Sequence, residues 1–288
     1  TFEGQILSRD NKVIPVLIHG NNLRDDTGHK LGNVAFVSDL SEQKKALQLA
    51  AEIQKSLLPN ESPDVPGFDV AGISISSDEI GGDYFDFLDQ PGCQEHTMGS
   101  VVGDIAGHGV DAALLMTSAR AFMRMRATKP GNLSDIVYDL NNHLVDDLYG
   151  SGRFMTMFSL ALDSRSKTIH WVKAGHDAAL LYSPEKDDFT ELGGRDLPLG
   201  VLKDFQFEEF SMQGPNPGQI LILATDGIWE TFNGQGEMFG RDRFRQAISK
   251  HAMMSAHGIV DSVVESLRTF SDGLKPADDI TLVVIKKL

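Results

Sequence analysis

The sequence predicts an α+β fold in which antiparallel sheets are flanked by helices. Three observations carry that expectation. From Phe68 onward, short apolar runs of strand length dominate the chain. Several of them are almost continuously apolar, as strands covered on both faces are. Helical periodicities come in pairs between groups of strands, and not one after each strand as a doubly wound parallel sheet requires.

Residues 4–38 hold three strand-like runs, Gly4–Arg9, Lys12–Asn22 and Lys30–Ser38, parted by the turn signals Asp10-Asn11 and Asp25-Asp26-Thr27-Gly28. Three strands bury little alone, so something N-terminal or a partner is expected to complete this unit. The chain does not begin with Met, which fits a piece of a longer protein. Asp39 to Leu58 reads as a helix with a D-x-x-E start, Asp39 and Glu42 satisfying the first free amides. Ala46, Ala50, Ile53 and Leu57 trace a coiled-coil-like seam, which predicts a linker that pairs with a second copy. Pro59, Pro63 and Pro66 stop the helix and mark a boundary.

Beyond it, Ala71, Ile73 and Ile75 alternate with small or polar residues, as in a half-buried strand. The runs 154–162, 169–174, 179–182, 220–225 and 280–285 are more apolar, as strands between two layers are. Helices are expected over 110–127, 134–148, 241–250 and 259–270. The organisation is therefore a partial β unit over 1–38, a helical linker over 39–58 and one domain over 59–288.

Composition narrows the function. The chain has 288 residues, 41% hydrophobic and 23% charged, ordinary values for a globular protein. Asp and Glu number 41 against 26 Lys and Arg, a formal charge of −15, which argues against nucleic acid or an anionic membrane as partner. No apolar run is long enough to span a bilayer, and no signal peptide opens the chain. Cys93 is the single cysteine, so no intrachain disulfide forms and a cytoplasmic setting is expected.

The stretch VVGDIAGHGVDAALLM at 101–116 contains a G-x-G-x-x-A pattern from Gly107 to Ala112. A dinucleotide loop places its first glycine directly after the strand, whereas here an acidic residue, Asp104, comes first. The β-rich remainder also lacks a Rossmann half, which disfavours a nucleotide-dependent oxidoreductase.

Asp104 belongs instead to a recurring local design, an Asp beside a glycine or turn at a strand terminus. It occurs at Gly81-Gly82-Asp83, Gly103-Asp104, Thr225-Asp226-Gly227 and Asp278-Asp279-Ile280. Singly, an Asp-Gly is more often a turn and an Asp before a helix more often its cap. Together, converging carboxylates repel one another unless protons or cations intervene. Oxygen donors without Cys or paired His select hard ions, Mg²⁺ or Mn²⁺, and two such ions form the usual clamp for phosphoryl transfer to water.

Residues 59–288 resemble the SpoIIE/RsbU-type bacterial branch of the metal-dependent, protein phosphatase 2C-like Ser/Thr phosphatases. The resemblance rests on an ordered set: QKSLLP at 54–59, EIGGDYFD at 79–86, GDIAGHGVDAALLM at 103–116 and FMTMFSLALD at 154–163. It continues with AGH at 174–176, LPLG at 197–200, TDGIWE at 225–230, FG at 239–240 and DDITLVVI at 278–285. It implies a four-layer α-β-β-α sandwich with a metal centre at one edge. It also implies that Asp83 and Asp104 lie nearest a bridging position between two Mn²⁺ or Mg²⁺ ions, with the Ile105 carbonyl as a further ligand. Asp226 and Asp278 would hold the first ion, with Asp279 ranked behind Asp278. The eukaryotic relatives' N-terminal phosphate-binding Arg has no counterpart here.

The implied activity is hydrolysis of phosphoserine or phosphothreonine on a protein, with STAS-type anti-sigma factor antagonists as the implied substrates. His108 follows the Asp104 turn and could protonate the leaving alkoxide, although many members of this branch carry Lys there. His176 reads as a structural hydrogen-bonding residue. Residues 1–40 resemble the C-terminal half of a PAS sensor domain with its signalling helix. The competing reading is a catalytically silent phosphatase fold kept for signalling and dimerisation, whose usual signature is loss of the carboxylates; all are present in this sequence.

Overall fold

The computed structural model describes all residues except Glu95, Arg195 and Asp196. The chain divides into two compact units, Thr1–Ile53 and Gln54–Leu288. In the first, β1 (Phe2–Leu7), β2 (Val13–Arg24) and β3 (Lys30–Asp39) form an antiparallel sheet in that order. Helix α1 (Ser41–Leu57) starts in this unit and ends in the second.

The start of α1 differs from expectation. Asp39 still belongs to β3, and its carboxylate accepts the Ser41 N–H at 2.8 Å. The first helical bond runs from the Lys44 N–H to the Leu40 carbonyl, so Leu40 occupies the capping position. A short turn bond at Asp39 thus replaces the predicted capping box. Ala46, Ala50 and Ile53 of the expected seam are exposed, Leu57 is half-buried, and Gln54 is the one fully buried residue of the helix.

The second unit contains two five-stranded antiparallel sheets. One has the order β10 (Asp188–Leu192), β9 (Ala179–Ser183), β12 (Ile220–Ala224), β13 (Ile280–Lys287), β4 (Phe68–Ile75). The other runs β11 (Phe210–Gln213), β8 (Thr168–Ala174), β7 (Met155–Asp163), β6 (Thr97–Ile105), β5 (Tyr84–Asp89). Helices α2 (Val110–Ala127) and α3 (Leu133–Leu148) cover the β5–β8 side, and α4 (Gly240–His251) and α5 (Ala256–Phe270) cover the other sheet.

Side-chain alternation builds these layers. On β13, Leu282 and Val284 pack toward α4 and α5, while Val283 and Ile285 face the opposing sheet. Val102, Phe158, Leu160, Leu181, Leu221 and Leu223 complete the core between the sheets. Each such buried aliphatic side chain contributes roughly 1.5–3 kcal/mol relative to exposure. The result is the four-layer α-β-β-α sandwich that the family resemblance implies. Strands β10 and β11, which the sequence reading passed over together with β5, are both sheet edges. Their exposed residues dilute the apolar signal that marks the central strands.

Antiparallel pairing fixes where the functional turns go. Tyr84 at the start of β5 pairs with Gly103 near the end of β6, and Ala224 at the end of β12 pairs with Leu282 near the start of β13. Strand starts and strand ends therefore share an edge.

Two buried polar features tie layers together. The Asp86 carboxylate, fully buried on β5, accepts two hydrogen bonds from Arg124 of α2 at 2.6 and 2.8 Å and one from the Tyr84 hydroxyl at 3.2 Å. The Arg124 head reaches water and Asp86 does not, so the two deletions are unequal. Arg120 Nε also stands 3.8 Å from Asp86, so Arg124→Ala leaves the carboxylate one cation. That variant should lower stability by about 2–3 kcal/mol through the two lost charged hydrogen bonds. Asp86→Asn should cost about 1–2 kcal/mol, as measured by urea unfolding.

His176 places Nδ1 2.8 Å from the Thr156 hydroxyl, and burial draws its pKa down to about 4. The folded state therefore keeps this imidazole neutral while the unfolded chain protonates it below about 6.5. The contribution to stability is complete above pH 6.5 and is lost as pH falls toward 4, on the order of 3 kcal/mol in all. Urea midpoints of wild type and His176→Gln should converge as the buffer is taken from pH 7.5 to pH 5.

Candidate functional site

The four aspartate turns meet at one edge of the sandwich. Asp83 directly precedes β5 and Asp104 is the penultimate residue of β6. Asp226 lies two residues after β12, and Asp278 lies two residues ahead of β13. Two are thus at strand ends and two before strand starts, a difference that antiparallel pairing cancels. A cleft of about 270 Å³ opens there, with Asp78, Asp104, Ile105, Gly107, His108 and Asp278 among its lining. Asp83 and Asp226 are not part of this lining. A larger cleft, about 510 Å³, lies among Pro63, Pro66, Phe68, Phe87 and Met98 and holds none of the predicted site residues.

Close approach of these turns depends on glycine. A Cβ at Gly82 would stand 3.1 Å from the Ile105 carbonyl oxygen, and one at Gly227 would stand 2.0 Å from the Asp279 carbonyl oxygen. The first position brings the Asp83 turn against the end of β6, and the second brings the Asp226 turn against Asp278 and Asp279. Neither tolerates a side chain without moving backbone.

The electrostatics are those of crowded acids. Burial first, then the charges of Asp226, Asp278 and Asp279, together raise the Asp104 pKa to about 7. Asp83 is raised well above the ordinary carboxylate range by burial and by Asp104, against the opposing hydrogen bonds of Thr281 and Thr225. Asp226 is raised by burial, then by Glu230 and Asp278.

The nearby cations are engaged elsewhere: Lys275 with Asp78 at 2.9 Å, Arg153 with Asp111, and Arg241 with Asp177 at 2.7 Å. Among the described residues, no Lys or Arg forms an ion pair with Asp83, Asp104, Asp226 or Asp278. Buried carboxylates that lack positive charge and offer only oxygen donors suit a hard divalent cation. Among the described residues, however, no three His, Cys, Asp or Glu side chains already gather at the spacing of a closed ligand shell. The carboxylates ring the edge without closing on a point.

Asp279 differs from the others. One of its oxygens accepts the Ser77 N–H at 2.6 Å, and the other accepts the Gly82 N–H at 2.7 Å and the Asp83 N–H at 3.4 Å. Its carboxylate organises the 77–83 turn. Asp278 caps locally, accepting the Asp279 N–H at 2.8 Å, and faces the cleft. His108 sits on the rim, 84% exposed, with Nδ1 3.6 Å from Asp78.

Residues the sequence reading gave no role also matter. The Thr225 hydroxyl donates to Asp83 at 2.8 Å and accepts the Thr281 N–H at 2.9 Å, joining two of the aspartate turns. Arg153 donates to the Ala106 carbonyl at 2.9 Å and to Asp111, bracing the loop between Asp104 and α2. Gln54 of α1 contacts the Asp83 turn. Its signal was a polar residue in the stripe Leu47, Ala51, Gln54, Leu58, whose other members are all half-buried.

Comparison with known proteins places this geometry. The family described as Stage II sporulation protein E (SpoIIE) matches residues 94–287. The chain is 26% identical over 246 residues to the phosphoserine phosphatase RsbU of Bacillus subtilis, covering 85% of this chain and 71% of RsbU. It is 27% identical over 197 residues to the phosphoserine phosphatase RsbP of the same organism, covering 65% of this chain and 46% of RsbP. The fold of the SiaA-PP2C domain of Pseudomonas aeruginosa superposes with a TM-score of 0.74 at 23% identity, covering 86% of this chain and 99% of that domain. With its phosphatase 2C-like sandwich and its family match over two thirds of its length, the chain belongs to the SpoIIE family.

Proposed function

We propose that this chain is a metal-dependent protein serine/threonine phosphatase, a phosphoric monoester hydrolase acting on phosphoserine or phosphothreonine of a protein. The observation that carries the reading is the group of buried, mutually repelling carboxylates at one sandwich edge, without a basic partner among the described residues, in a chain of this family.

Asp83, Asp104, Asp226, Asp278 and the Ile105 carbonyl would hold two Mn²⁺ or Mg²⁺ ions, with Asp279 acting first as the organiser of the Asp83 turn. Bound there, the ions supply the positive charge that neutralises the carboxylates, binds phosphate and makes solvent a nucleophile near neutral pH. The chain's own residues do the rest. The aspartates fix where that charge sits, and the sheet edge keeps them from relaxing into solvent. Thr225 steadies Asp83 by its hydroxyl. Arg153 and the Gly107 turn hold the loop that carries His108 at the cleft. His108 is placed to give a proton to the departing serine or threonine oxygen.

The named relatives act on phosphoserine, and we infer a STAS-type anti-sigma factor antagonist as substrate. We also infer that residues 1–38 are the C-terminal part of a PAS sensor, that 39–58 form a linker and that 59–288 form the catalytic domain. The exposure of Leu49 (59%) and Ile53 (56%) on α1 supports homodimer pairing through that helix. No helix among the described residues is long and apolar enough to cross a membrane, and a single cysteine agrees with a cytoplasmic setting. The acidic surface disfavours nucleic acid as a partner.

One observation favours the other reading, a silent signalling module: the carboxylate ring is open. Metal titration separates the two. Wild type should release phosphate from a phosphorylated STAS protein only with Mn²⁺ or Mg²⁺ and stop on chelation. Asp104→Asn and Asp226→Asn should each reduce that rate at least about 100-fold. A wild-type rate in either variant, or no metal-dependent rate in wild type, rejects the assignment.

The role of His108 has its own signature. His108→Ala should slow phosphoserine hydrolysis by about 100-fold, and affect p-nitrophenyl phosphate, whose leaving group needs no proton, far less. Equal effects on both substrates would assign His108 to positioning.

A further inference from the structure

The amide of Gln54 makes two hydrogen bonds to one residue of the Asp83 turn. Its Nε2 donates to the Gly81 carbonyl at 2.7 Å and its Oε1 accepts the Gly81 N–H at 3.1 Å. The side chain is 8% exposed and belongs to α1, 27 residues earlier in the chain. Two residues beyond Gly81 stands Asp83. Across the same turn, Asp279 accepts the N–H groups of Ser77 and Gly82. The backbone of the loop between β4 and β5 is therefore gripped by two side chains, one from a helix and one from the β13 entrance, while Lys275 and Thr225 hold its Asp78 and Asp83 carboxylates. Local repeating structure does not hold it: Ser76 to Asp83 lies outside every strand and helix.

That arrangement bears on Asp83. Its backbone follows two glycines, the most permissive residues in the chain, and its carboxylate is under repulsion from Asp104. Left to itself, such a segment would swing the carboxylate outward. The Thr225 hydroxyl restrains the side chain and the Asp279 carboxylate holds the Gly82 N–H, which leaves the Gly81 peptide as the part of the approach still to be fixed. A paired amide on Gly81 supplies that restraint. At this position a carboxamide alone both donates and accepts in the required geometry; a carboxylate only accepts, and an apolar side chain does neither.

We propose that Gln54 is a positioning residue for metal capture, holding the Gly81-Gly82 backbone so that Asp83 is presented to the cation before the cation arrives. The inference rests on the phosphatase reading above and adds to it a determinant of metal affinity outside the ligand set. Removal of the clamp then acts on metal binding more than on turnover once metal is bound, because a saturating ion holds Asp83 itself.

The test compares the full chain with Gln54→Leu, which keeps volume and helix preference, and with Gln54→Glu, which keeps only the acceptor. Mn²⁺ binding is read by calorimetry, the Gly81 and Gly82 amides by hydrogen exchange, and the Mn²⁺ dependence of phosphate release by kinetics. Gln54→Leu should weaken Mn²⁺ binding by about tenfold or more, a supporting-residue effect. It should speed exchange at Gly81 and leave the rate at saturating Mn²⁺ within about twofold of wild type. Gln54→Glu should fall between, and it carries the test should Gln54→Leu fail to fold. Unchanged Mn²⁺ affinity, or a lower saturating rate with unchanged metal dependence, overturns the proposal. Wild type that binds no Mn²⁺ overturns the phosphatase reading, whatever Gln54 does.

Discussion

Repulsion between buried carboxylates is the constraint to which the rest of this architecture answers. Water normally screens such groups, but the edge where Asp83, Asp104 and Asp226 gather excludes much of it. In that setting each negative charge raises the free energy of the next, and among the described residues no Lys or Arg pairs with these carboxylates. A site of this kind disfavours the folded state of the empty protein, and the same imbalance favours a divalent ion. Asp279 shows the contrast. Its charge is met by three backbone amides, so it can serve the structure while its neighbours remain available.

Holding unwilling charges together requires a rigid support, and the double sandwich supplies it. The core between the sheets and the two helix-facing cores are lined by aliphatic and aromatic side chains that alternate strictly along the central strands. The register of β5 with β6 and of β12 with β13 places turns from opposite chain directions at one edge. Within that frame small features set the final spacing. Gly82 and Gly227 let backbone segments touch, and Thr225 links Asp83 to the first residues of β13. Packing carries the cost of crowding, and hydrogen bonds direct where the crowding occurs.

How much of this the sequence discloses depends on the physical origin of each feature. Helix α2 is legible to the residue because it begins after two glycines and ends before Lys129-Pro130-Gly131, both strong local signals. Strands β10 and β11 are illegible because edge strands need no continuous apolar face. The aspartates are visible as a repeated motif, but whether they meet is decided by strand register, which no local pattern encodes. Asp278 and Asp279 are neighbours of one residue type; only the structure shows that the second is occupied by amides from residues about 200 positions away. Gln54 lies inside a family-like segment, yet its role depends on a turn that composition alone does not shape.

Helix α1 ends as the element with most to do. Its exposed seam runs through Ala46, Ala50 and Ile53, and its covered stripe runs through Leu47, Ala51, Gln54 and Leu58. Successive residues on a helix are about 100° apart, so Ile53 and Gln54 face in distinct directions. The seam that we propose for pairing and the amide that grips Gly81 therefore do not compete for the same surface. By this geometry the last turn of α1 bears on the first carboxylate of the site through the Gln54 amide. A loss of helical order near residue 54 would be felt at Asp83 before any other carboxylate.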